Sequence, residues 1–120
     1  MLSIVWVGIG GFVGSSLRYA CSLLLPFNTH GFPLATFLVN IAGSFAIGCT
    51  FSLSARSAIA DDVRLLLGVG VCGGFTTFSA LSLETVALIR DGYLSMAAFY
   101  LTLSIVVGIC ATYAGILAMR

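Results

Sequence analysis

The chain reads as an all-α membrane protein of four transmembrane helices, with the third helix broken in mid-span. Three observations lead there. Of its 120 residues, 60% are hydrophobic and only 8% charged, with a mean hydropathy of +1.17. Soluble domains carry roughly 25% charged residues, and a soluble chain this short could not hide so much apolar surface. Four apolar segments each reach the ~20 residues that a spanning helix needs, and they are joined by short connections. Finally, the third segment carries Gly73-Gly74-Phe75-Thr76-Thr77-Phe78-Ser79 at its centre. Glycine is costly in a helix interior, and irregular backbone survives in a membrane only where protein or a water-filled cavity surrounds it. That stretch is therefore the candidate functional centre.

Taken in order, the first span is roughly Ser3–Leu25, ended by Pro26. The start lacks the basic residues and small-residue cleavage pattern of a signal peptide. Its first positive charge is Arg18, so a retained helix is expected. The second span is roughly Pro33–Ser54, with proline suited to a helix start. The third is Val63–Ile89 and the fourth roughly Leu94–Met119, which leaves the connections Pro26–Phe32, Ala55–Asp62 and Arg90–Tyr93. Residues 1–120 are expected to form a single four-helix transmembrane domain. Small residues recur at helical spacing: Gly10 and Gly14, Gly11 and Ser15, Gly108 and Thr112, Ala111 and Gly115. Close helix contact in lipid uses such pairs.

Four spans put both termini on one side. That side, with the second loop, holds Arg56, Arg64 and Arg120; the other holds Arg90 and, near a helix end, Arg18. Orientation follows this bias, and three against one or two is weak. One fixed orientation and insertion both ways up stay open, the latter favouring an antiparallel pair. A net charge of +1 gives no electrostatic case for nucleic acid. Cys21, Cys49, Cys72 and Cys110 lie in apolar segments without CxxC spacing, so they read as packing residues rather than a disulfide framework or zinc site. His30 lies in a loop and reads as solvated.

Polar groups are expensive in hydrocarbon, yet every helix carries a polar stripe. These are Gly11, Ser15, Arg18 and Ser22; Thr36, Asn40 and Ser44; Thr76 through Thr85; and Tyr100, Ser104, Gly108 and Thr112. Such stripes suit the walls of an ion path, and also interhelical hydrogen bonding for packing alone. Asn40, near the middle of its run, points to a pathway. Arg18 and Glu84 are the ionisable groups well inside the runs. Arg18 either snorkels to the interface or draws an anion into a vestibule. Glu84 either pairs with an arginine or carries a proton. Phe75 and Phe78 flank the threonines, and an aromatic edge is electropositive. Together with the amide and hydroxyl donors, this leans toward anion handling. No nucleophile–base arrangement supports an enzyme.

At this point the chain resembles the CrcB/Fluc family of small fluoride ion channels. The resemblance rests on Gly10-Gly11-Phe12-Val13-Gly14 with Leu17-Arg18-Tyr19, on Pro33, Thr36, Val39-Asn40 and Gly43-Ser44-Phe45, and on Gly68 through Glu84 with GGFTTFS at its heart. It implies a dual-topology homodimer with antiparallel subunits and two pores. It also implies a break in the third helix at the glycine–threonine stretch, where backbone carbonyls near Gly73 and Thr76 hold a structural sodium ion, Na+, at the dimer interface. Carried over by position, Asn40 would donate to fluoride, Phe78 would offer its ring edge, and Ser79 would join the polar cluster. Tyr100, Ser104 and Thr112 would form a polar track, Arg18 would sit at a vestibule, and Glu84 would end the pore. Leu81 stands where the family commonly has a second phenylalanine, Ala80 where a threonine is frequent, and Gly108 at one track position.

The resemblance thus implies a passive fluoride exporter in a bacterial-type plasma membrane (the inner membrane). The partners implied are the fluoride ion, membrane lipid and a second copy of the chain. The alternative is a small dual-topology multidrug or guanidinium exporter. That class depends on a glutamate in its first helix, and the only glutamate here is Glu84 in the third. A non-transporting assembly subunit would explain the glycines but not a polar stripe on every helix.

Overall fold

The computed structural model describes residues 2–25 and 31–120. Pro26 and His30 lie outside the described residues. Four helices are long and apolar enough to cross a membrane: Leu2–Leu24, Leu34–Ala55, Asp61–Arg90 and Leu94–Ala118. At ~1.5 Å per residue, each exceeds the ~30 Å hydrocarbon core. Their outward faces are apolar, with Ile4, Phe12 and Leu83 at 73, 74 and 71% exposure. In lipid those are solvent-facing side chains, so the chain is a multi-pass membrane protein. No strand occurs among the described residues.

With no hydrophobic driving force between helices in lipid, close packing must hold the bundle. Two glycine seams do so. The first helix packs chiefly on the first half of the third, and the second helix chiefly on the fourth. In the first seam a methyl at Gly10 would overlap the carbonyl oxygen of Leu66 and lie 2.8 Å from Cα of Gly70. One at Gly14 would overlap the Val71 carbonyl. Gly74 answers from the other side, where a methyl would lie 2.7 Å from the Gly11 carbonyl oxygen. The expected Gly10–Gly14 pair is thus met by a second pair, Gly70 and Gly74. In the other seam, methyls at Gly48 and Gly115 would overlap the carbonyl oxygens of Thr112 and Phe45. Gly108 differs: a methyl there would meet only Ser44 Oγ at 3.7 Å and Ile41 Cδ1 at 3.9 Å, ordinary contacts.

The third helix is broken as expected, but not at its glycines. It starts at Asp61, with Asp61 and Asp62 in its first turn, where the helix dipole favours acids. A π-helical stretch, Leu65–Cys72, follows, then one α-turn over Gly73–Phe75. Gly73 is itself helical, at φ −64° and ψ −38°. The extended residues are Thr76 (φ −80°, ψ 152°) and Thr77 (φ −148°, ψ 113°), a conformation that suits β-branched side chains. The helix resumes over Phe78–Arg90. Gly70 and Gly74 serve the seam, Gly73 stays open, and the threonines make the break.

Two short connections end in matching caps. After the third helix, Tyr93 N donates to Leu88 O (2.8 Å) and Gly92 N to Ile89 O (3.2 Å), with Gly92 at φ 87°. After the second, Ala58 N donates to Leu53 O (2.9 Å) and Ser57 N to Ser54 O (3.0 Å). Both are Schellman turns, but the second places Ser57 at φ 55°, a region that disfavours side chains.

The seams predict that Gly14→Ala destabilises the protein by about 1–3 kcal/mol, whereas Gly8→Ala, with nothing within 4 Å, leaves it unchanged or firmer. Thermal unfolding in detergent reads both, and equal melting would argue against the seam. Ser57→Gly should raise stability by up to about 1 kcal/mol in the same assay.

Candidate functional site

The break frees backbone groups that must find partners in the membrane. Asn40 on the second helix supplies two at once. Thr77 N donates to Asn40 Oδ1 at 2.8 Å, and Asn40 Nδ2 donates to Thr77 O at 3.2 Å. The fixed polarity of the backbone sets the amide's orientation. An amide nitrogen carries two hydrogens, so one remains for other use. Ala80 N, at the new helix start, donates to Thr77 Oγ1 at 3.1 Å, a side-chain N-cap. Thr77 Oγ1 and Ser79 Oγ lie 3.1 Å apart. On the other side of the break, Thr76 N and Oγ1 donate to Cys72 O at 3.0 and 2.8 Å. Arg18 Nε donates to Gly74 O at 3.1 Å.

These bonds determine which carbonyls are left over. In a continuous helix Gly73 O would accept from Thr77 N and Thr76 O from Ala80 N. Those donors now serve Asn40 and the Thr77 hydroxyl. The Gly73 and Thr76 carbonyls therefore lose their helical partners on an open face, where a methyl at Gly73 would meet nothing within 4 Å. Backbone oxygens released in this way suit a hard cation such as sodium, by analogy with other oxygen-ligated ions.

Two grooves flank Thr77. The first, about 390 Å³, is lined by Asn40, Ser44, Thr77, Phe78, Leu81 and Ser104, among others. Its lining carries amide and hydroxyl donors and no carboxylate. Ser104 is 8% exposed, and its Oγ is buried without a hydrogen-bond partner. Such an orphan costs roughly 1–3 kcal/mol, a sign that something polar belongs there. Phe78, 78% exposed, stands at this groove beside Leu81, which is buried. The groove thus has one aromatic ring and one aliphatic neighbour.

The second groove, about 370 Å³, is lined by Ser15, Arg18, Thr36, Thr77 and Glu84, among others. Glu84 accepts from Thr36 Oγ1 at 2.6 Å and from Tyr100 OH at 2.7 Å. Its partners are neutral hydroxyls, not the arginine that sequence reading offered. Tyr100 is fully buried, held edge-on by Phe32 with ring centroids 5.2 Å apart. Its hydroxyl reaches Glu84 and is not among the residues lining the first groove.

The site residues read from the sequence therefore divide. Asn40, Phe78 and Ser104 share the first groove with Gly73 and Thr76. Arg18 and Glu84 share the second. Tyr100 joins Glu84 from behind. Ser79 is exposed at the break beside Thr77. Thr112 turns its hydroxyl to its own helix, on Gly108 O at 3.2 Å, away from both grooves. Sequence reading placed Thr77 in the candidate centre and in a polar stripe but gave it no role of its own, and it is the hub common to both grooves. The available signal was Asn40 itself: a mid-membrane amide needs a donor and an acceptor together, and only a broken helix offers both.

The model of a family described as CrcB-like protein, Camphor Resistance (CrcB), matches residues 5–116. The chain belongs to that CrcB-like family. Its relatives include the fluoride-specific ion channel FluC of Chlorobium luteolum, 48% identical over 99% of this chain and 93% of the relative. The channel of the same name from Chlorobium phaeobacteroides (strain BS1) is 46% identical over 94% and 89%, and that from Chlorobaculum tepidum 44% over 100% and 96%. Membership thus extends over all four helices, including the stretch that carries the break.

The geometry around Glu84 predicts that Tyr100→Phe, which removes one donor from a partly buried carboxylate, lowers stability by about 1–3 kcal/mol. Phe retains the packing against Phe32, so unchanged thermal unfolding would mean that the 2.7 Å bond contributes nothing.

Proposed function

We propose that this CrcB-like chain is a fluoride-selective channel that lets fluoride leave the cell passively through the plasma membrane. The observation that carries the reading is the first groove: a half-free Asn40 amide, an orphan Ser104 hydroxyl and the Phe78 ring, at mid-membrane, with no carboxylate. The names of the relatives support the ion. The donors replace part of the ion's water shell, and the electropositive ring edge accepts the remaining charge. A larger halide fits such donors badly. The arrangement moves an ion and breaks no bond, so the activity is transport rather than catalysis.

We further propose that two copies pair in opposite orientations. Phe78 and Gly73 are exposed in a stretch that lies deep in the membrane, which favours their being covered by a second copy. The Gly73 and Thr76 carbonyls of both copies would then hold one sodium ion, whose charge would fasten the two breaks together. Arg18 keeps the neighbouring Gly74 carbonyl occupied and so limits which oxygens reach the ion.

The first test is fluoride efflux from liposomes holding the purified protein, with chloride as control. Fast fluoride efflux with negligible chloride is expected; no fluoride efflux from intact protein would overturn the reading. Asn40→Asp should cut fluoride efflux by at least about a hundredfold, because a donor becomes a like charge close to the ion. Phe78→Ile should lower it several-fold, up to about tenfold, without altering the elution of the protein. Wild-type flux in either variant would remove that residue from the ion path.

A further inference from the structure

The fourth helix presents Tyr100, Ser104, Gly108 and Thr112 at four-residue spacing. At the Gly108 level that stripe has no side chain, and Thr112 has turned its hydroxyl away to Gly108 O. The gap is not a packing necessity, since a methyl at Gly108 would fit with only ordinary contacts. The nearest atom to that methyl position is Ser44 Oγ, at 3.7 Å. Ser44 is one helical turn beyond Asn40 on the second helix, and it lines the same groove as Asn40 and Ser104. Ser104 Oγ, buried and without a partner, lines it as well.

We propose that Ser44 is an ion-coordinating residue, and that its hydroxyl occupies the step of the path that Gly108 leaves bare. The inference rests on the channel reading above and adds a second anion position to it. Asn40 donates at the break, and Ser44 with Ser104 donates one turn further along. The second helix therefore supplies the wall of the groove where the fourth helix has none. A hydroxyl is needed at this level, but the helix that carries it is exchangeable, because the two backbone positions face one space.

The exchange makes the inference testable in the liposome assay. Ser44→Ala should lower fluoride efflux about tenfold, the value of one hydrogen bond to a charged partner. Adding Gly108→Ser should restore most of it. Ser44→Cys, which keeps the size but donates weakly, should behave as Ser44→Ala and answers the same question if alanine disturbs folding. Full efflux in the Ser44 variants would overturn the proposal. So would a loss that Gly108→Ser fails to rescue, which would make Ser44 a packing residue. A wild-type protein that conducts no fluoride would instead overturn the channel reading itself, so the two failures are distinguishable.

Discussion

The two-way hydrogen bond between the Asn40 amide and the backbone of Thr77 is the constraint on which the rest depends. Interrupting a helix in hydrocarbon exposes an N–H and a C=O, each of which costs several kcal/mol if left alone. A primary amide is the smallest side chain that can satisfy both from one direction. It imitates a neighbouring backbone, and so makes extended residues tolerable where no water is available. Everything useful about the centre follows from that repair. The second half of the third helix can start afresh at Phe78, the Gly73 and Thr76 carbonyls lose their helical donors, and two grooves open on either side of one residue.

The glycine seams serve the same end by different means. They press the first helix onto the third and the second onto the fourth, backbone against backbone. Dispersion acts only at close range, and lipid offers apolar side chains no reason to leave it. The first seam runs right up to the break, with Gly14 against Phe75 N and Gly74 against the Gly11 carbonyl, and the opening lies just beyond it, beside Thr77. Glu84 secures the far edge of this opening through Thr36 and Tyr100, joining the second, third and fourth helices by short hydrogen bonds of 2.6 and 2.7 Å.

Much of this was legible in the sequence. Hydropathy placed the four spans to within a few residues, since lipid imposes a length on any helix that crosses it. The out-of-place Gly73–Ser79 stretch located the break, the polar stripes included Asn40 and Ser104, and Phe78 was read from its place beside the threonines and from the family resemblance. What failed to show was direction. Periodicity cannot tell that Thr112 bonds its own helix while Ser104 faces a groove, nor that Gly73 stays helical while Thr76 and Thr77 extend. The π-helical turn at Leu65–Cys72 left no mark beyond two more glycines, and Gly70 was needed by a partner helix far away in the chain. Such facts belong to pairs of segments, and a single sequence presents each segment alone.

The alternation of the seams bears on how the chain is made. Helices that emerge one after another do not pair one after another: the first waits for the third, and the second for the fourth. During synthesis, Asn40 therefore enters the bilayer well before Thr77 has been added to the chain. Until then its amide has no backbone to imitate and must be sheltered by water, by the insertion machinery or by another polar group. The residue that makes the finished centre possible is thus a vulnerable point of the unfinished chain, and its amide stays unmatched until the third segment arrives to receive it.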